Sequence, residues 1–134
     1  MSGLVLKLAP KERVLINGAV IENGDRRGRL SIVTPNVNIL RLRDAIHPQE
    51  ATTPVRRVAY LAQLVLSGDM AAEEASPQLL KGIEQLSQIF SDPDSRHQLN
   101  LASEAALDGQ HYQVLKALRA LMPREDRLLA ATRQ

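Results

Sequence analysis

The chain has 134 residues, with no cysteine, no tryptophan and three aromatics, Tyr60, Phe90 and Tyr112. Zero cysteine excludes a disulfide framework, thiolate zinc sites and cysteine nucleophiles, and a hydrophobic fraction of 44% excludes a disordered chain. No stretch approaches the ~20 apolar residues of a membrane span, and residues 1–8 lack the charged region and long apolar run of a secretory signal. These features predict a folded, cytoplasmic protein with no membrane association. The net charge of +2 conceals a division. Residues 1–60 carry ten basic and five acidic side chains, a balance of +5; residues 61–134 carry seven and ten, a balance of −3.

Leu4, Leu6 and Leu8 alternate with Val5 and Lys7, the period of a half-buried strand. Val14-Leu15-Ile16 and Ala19-Val20-Ile21 flank Asn17-Gly18. Asn-Gly between apolar runs predicts a hairpin, because both central positions of a type I′ turn need positive φ. A turn at Asn23-Gly24-Asp25 leads through Arg26-Arg27-Gly28 into a strand at 29–33. Thr34-Pro35-Asn36 turns the chain again, and 37–43 reads as a further strand. The expectation is an antiparallel meander of about five short strands, ending at a loop marked by His47-Pro48.

Beyond this point the period becomes helical. Thr53-Pro54 is an N-cap followed by proline at the first helical position. Val55, Val58, Leu61, Ala62 and Val65 form one face, and Ser67-Gly68 stops the helix. Ser76-Pro77 and Asp92-Pro93 predict two more starts. Asp108-Gly109 closes the third helix. Tyr112, Leu115, Leu118, Leu121 and Met122 mark a fourth stripe, which Pro123 is expected to end. Residues 124–134 read as either a short helix or a frayed tail. The fold class is therefore α+β: a basic β-strand lobe over residues 1–50, then a four-helix lobe over 51–134.

Catalytic signals are weak. His47, His97 and His111 form no HExxH and no His/Asp cluster. There is no GxSxG, no GxxxxGK[ST] and no GxGxxG. Glu73-Glu74 and Glu125-Asp126 read as solvated faces or helix N-termini. No enzyme, cofactor or metal site is expected.

Nucleic-acid binding has more support. Eight of the ten basic residues before residue 61 are arginine, whose planar fork suits phosphates and base edges. Arg26, Arg27 and Arg29 cluster on and after a turn. Arg41 and Arg43 lie two apart on a predicted strand, hence on one face. Arg56 and Arg57 occupy the first turn of a helix, where cations oppose the helix dipole and call for a compensating carboxylate or anion. Each set alone reads as a solvated rim; three sets in one net-positive lobe read as a surface. No aromatic precedes Tyr60, so that lobe would lack the stacking platforms of common single-strand binders. Protein binding is the second class: the acidic helical half carries apolar stripes that suit either a core or a groove for a partner helix. The sheet edges also need cover, which a second copy could supply as a homodimer.

The run Leu15-Ile16-Asn17-Gly18-Ala19-Val20-Ile21-Glu22-Asn23-Gly24-Asp25-Arg26-Arg27-Gly28, with residues 4–10, 40–46 and Thr52-Thr53-Pro54-Val55-Arg56-Arg57, resembles the FlbT family of bacterial flagellin regulators. The helical half matches that pattern chiefly at Asp108-Gly109-Gln110-His111-Tyr112. The resemblance implies a non-catalytic regulator. It would bind the 5′ untranslated region of flagellin mRNA, control its translation and decay, and work alongside FlaF; the alternative is a protein-binding adaptor whose helical lobe acts on flagellin or FlaF and affects the mRNA indirectly. The direction of regulation stays open. The β lobe is also similar to the CsrA regulators, intertwined β dimers that bind RNA through the first strand and arginines on the last. That analogy adds Leu4 and Leu6 to Arg41 and Arg43 as candidate contacts.

Overall fold

The computed structural model describes residues 4–35 and 37–132. Five strands come first: β1 (Leu4–Leu8), β2 (Arg13–Ile16), β3 (Ala19–Glu22), β4 (Gly28–Ile32) and β5 (Ile39–Arg41). Five helices follow among the described residues: α1 (Pro54–Leu66), α2 (Ala72–Ile89), α3 (Pro93–Leu107), α4 (His111–Arg119) and α5 (Met122–Thr132). The α+β order is as the sequence predicts, and the segment after α4 is a fifth helix rather than a frayed tail.

The strands do not form one meander. β1 pairs antiparallel with β4, from Leu4 opposite Ile32 to Leu8 opposite Gly28. β2 pairs with β3 and with β5, giving the order β3-β2-β5. The β2–β3 hairpin turns at Asn17-Gly18, whose φ values of 49° and 85° are the left-handed pair that a type I′ turn demands. β5 is shorter than the predicted strand. Arg41 ends it, and Leu42–Asp44 forms a 3-10 turn.

β5 stands between two cores. Ile39 joins Leu6, Leu8 and Val14 in a small cluster within the strands. Leu40, facing the other way by the strand's period of two, joins the larger helical core with Ile46, Val55, Leu79, Leu86, Phe90 and Leu118. Gln63 of α1 fixes the connecting segment to the helices. Its side-chain oxygen accepts from the Ile46 N–H at 2.6 Å, and its amide donates to the Ile46 carbonyl at 2.9 Å.

α1 and α3 begin as predicted, with Thr53 and Asp92 side chains accepting from backbone N–H groups three residues on. α2 does not begin at Ser76-Pro77. It starts a turn earlier, at Ala72, with Glu73 and Glu74 in its first turn. The buried stripe begins at Ala75, so packing recruits the preceding turn, and the chain forgoes the hydrogen bond that Pro77 cannot donate. Likewise Pro123 opens α5 rather than ending α4, since proline is tolerated in a helix's first turn. At Gly109, φ is 71°, and the N–H groups of Gly109 and Gln110 bond to the carbonyls of Ala106 and Ala105, reversing the chain between α3 and α4. α1 packs on α2 and α4, and α3 packs on the same two helices. Among the described residues no helix is long and apolar enough to cross a membrane.

Candidate nucleic-acid interface

The β1–β4 ribbon turns Leu6 and Leu8 into the small core, with Leu4, Leu30 and Ile32 partly buried against it. The alternate residues point outward. Lys7 lies directly opposite Arg29 on this exposed face. Like charges opposed across a strand pair repel, and among the described residues no carboxylate forms an ion pair with either. Arg26 and Arg27, also exposed and without an ion pair there, lie in the segment that feeds β4. Asn23 holds that segment in place: its side-chain amide donates to the carbonyls of Ala9 at 2.8 Å and Arg26 at 2.9 Å. Three predicted residues, Arg26, Arg27 and Arg29, thus adjoin one strand pair. Lys7 completes the group. Its alternation with Leu6 and Leu8 signalled an outward position, but its cross-strand neighbour depends on register.

The Arg41–Arg43 pair is arranged differently from the sequence expectation. Arg41 is buried. Its Nε and one Nη each donate to Glu12 at 2.8 Å, and the same Nη donates to the Lys7 carbonyl. Glu12 also accepts from the Ala9 N–H at 2.9 Å. Hydrogen bonding from Arg41 holds the Glu12 carboxyl down at about 2, against an ordinary 4.5. Arg43 is off the strand and more exposed, and it approaches Glu12 at 3.6 Å. Leu6, at 2% exposure, is also inaccessible. Arg41 and Leu6 therefore support the ribbon: the guanidinium is taken up by a bidentate carboxylate and the leucine by the small core.

Arg56 meets the carboxylates that its position in α1 requires, and they come from α5. Asp126 accepts from both terminal nitrogens of Arg56, at 2.8 and 3.2 Å. Glu125, only 3% exposed, accepts from the Val55 N–H at 2.8 Å and lies 3.4 Å from Arg56. Of the two sequence readings, a helix N-terminus holds, since Glu125 stands in the first turn of α5, but it is not solvated: it is buried and caps α1. Arg57 stays exposed and donates to the Thr52 carbonyl at 3.0 Å.

An α+β chain is thus defined whose strand ribbon carries cations that form no ion pair among the described residues. Residues 4–129 match the family described as flagellar protein FlbT, and the chain belongs to this family. A probable flagellum biosynthesis repressor protein FlbT from a Caulobacter strain, K31, is 31% identical over 94% of this chain and 95% of its own length. One from a Chelativorans strain, BNC1, is 32% identical over 96% and 88%. The flagellum biosynthesis repressor protein FlbT of Caulobacter vibrioides is 28% identical over 94% and 89%. No solved structure matches the chain.

Proposed function

We propose that this protein is a cytoplasmic post-transcriptional regulator of flagellin synthesis that binds the 5′ untranslated region of flagellin mRNA. Its effect would be steric: an occupied leader alters ribosome access and nuclease exposure. Family membership and the relatives' naming as repressors of flagellum biosynthesis support the regulatory part. The observation that carries the RNA part is Lys7 opposite Arg29, beside Arg26 and Arg27, with no carboxylate compensation among the described residues. A polyanion relieves that repulsion and releases its own counterions. The test is titration of leader RNA at several salt concentrations. Four phosphate contacts on a single strand predict a log–log salt slope of about −3. Absence of binding at low salt overturns the reading.

Exposed apolar side chains on α2 and α3 favour a second reading. Ile89, Leu101 and Leu107 are 54%, 43% and 70% exposed. An adaptor holding flagellin or FlaF there, or a homodimer joined through the edge strand β3, whose four residues are exposed, would act on the message indirectly. A partner captured from lysate and retained after ribonuclease treatment favours the adaptor.

A further inference from the structure

A cleft of about 350 Å³ lies where the end of the strand lobe meets α4. One wall is Arg41, Arg43 and Asp44; the other is Tyr112, Leu115, Lys116 and Arg119. The spacing of the second set places it on one face of α4. Leu115, buried in the helical core, fixes how that face is presented. The charges do not cancel. Asp44 is the one acid in the lining; its carbonyl accepts from Arg119 at 2.9 Å, and its carboxylate lies 3.8 Å from the same guanidinium. Glu12 is occupied by Arg41 at 2.8 Å, so Arg43, at 3.6 Å, keeps most of its five donors free. Lys116 is exposed and has no ion pair among the described residues. Tyr112 is half-buried beside these cations. The helical half, acidic in total, here contributes two cations and an aromatic to the basic lobe.

We infer that this cleft takes one nucleotide of a single-stranded RNA, its phosphate between Arg43, Lys116 and Arg119 and its base against Tyr112. The inference rests on the RNA-binding reading and adds a second contact region to the ribbon. Arginine and lysine around a phosphate with an aromatic surface alongside is the chemistry of single-strand binding. The cavity is at the lower end of the volumes that hold small ligands, which fits one nucleotide. It also supplies the aromatic that the strand lobe lacks.

The test is a titration of a fluorescein-labelled oligouridylate of about a dozen nucleotides against the intact protein and four variants, Arg43→Gln, Lys116→Gln, Tyr112→Leu and the ribbon double variant R26A/R27A. Tyr112→Phe, which keeps the ring, controls for packing at Tyr112. Lys116→Gln and Arg43→Gln should each weaken binding and flatten the log–log salt slope, within the total of about 0.7 that one phosphate contributes. Tyr112→Leu should weaken binding about tenfold with the slope unchanged, and Tyr112→Phe should bind like the parent. If only the ribbon variant loses affinity, the cleft assignment is overturned while the RNA reading stands. If the parent does not bind the oligonucleotide at low salt, both are overturned. Competition with free uridine monophosphate separates the sources of the phosphate. Displacement of the oligonucleotide at micromolar concentrations overturns a strand as the occupant, and absence of displacement supports it.

Discussion

Glu12 and Arg41, twenty-nine positions apart, form a bidentate pair with both hydrogen bonds at 2.8 Å. Their side chains are 6% and 10% exposed. The pair joins the β1–β2 turn to the end of β5, and the Ala9 N–H and Lys7 carbonyl use further polar capacity on each partner. Removing one partner of such a pair leaves the other charge desolvated. Glu12→Gln should therefore destabilise the protein by about 3 kcal/mol. Urea unfolding checks this. An unchanged midpoint would mean that the pair is worth no more than an exposed one.

The same carboxylate predicts acid sensitivity. Its folded pKa, about 2, lies below the ordinary 4.5, chiefly through the hydrogen bond from Arg41. A depressed carboxylate contributes stability that is fully present above the unfolded pKa and is lost as pH falls through the folded value. Stability should thus decline between about pH 4.5 and 2. Asp126, lowered by its hydrogen bond from Arg56, acts in the same direction. Unfolding midpoints measured across this range should fall less steeply in Glu12→Gln than in the parent. Parallel curves would remove Glu12 as a source of the decline.

These long-range pairs mark the limit of what local pattern can convey. Asn17-Gly18, Thr53-Pro54 and Asp92-Pro93 are legible because turn and cap geometry is decided within four residues. Ser76-Pro77 has the same local form but lies inside α2, since the apolar stripe from Ala75 onward favours an earlier start. Alternation identified Arg41 as facing one side of its strand, but it could not distinguish solvent from Glu12. The charge division counts cations along the chain but not their partners, and some of the arginines before residue 61 are answered across the fold. Arg56 finds Asp126 seventy positions away. The ribbon cations remain legible because β1 and β4 alternate cleanly, whereas the cleft requires α4 to be docked before Tyr112 and Lys116 meet Arg43.

The contact between Glu125 and the Val55 N–H predicts a mutational asymmetry. This carboxylate satisfies a free donor in the first turn of α1 from another helix, at 2.8 Å. Glu125→Ala leaves the N–H buried without that acceptor and should cost about 2 to 3 kcal/mol. Glu125→Gln keeps a side-chain oxygen to accept the bond and should cost less. Chemical denaturation of both variants tests the order, and equal losses would mean that charge, not the cap, is what α1 requires.

Gly82 predicts where the helical lobe resists substitution. It is buried in α2, and a Cβ added there would lie 2.7 Å from Cγ2 and 3.2 Å from Cγ1 of Val58 in α1. Val58 cannot easily turn aside, because a β-branched side chain in a helix has one strongly preferred rotamer. Alanine gains about 1 kcal/mol of helix propensity over glycine, but overpacking costs about 1 to 3 kcal/mol. Gly82→Ala should therefore be net destabilising, by about 1 kcal/mol. Val58→Ala alone leaves a cavity and should cost about 2 kcal/mol. Together, the alanine at 82 occupies space vacated at 58, so the double variant should be more stable than the sum of the two singles implies, by about 1 kcal/mol. A four-way thermal or urea comparison measures this coupling. Strict additivity would show that α1 and α2 adjust their separation freely and that glycine at 82 is not required by their approach.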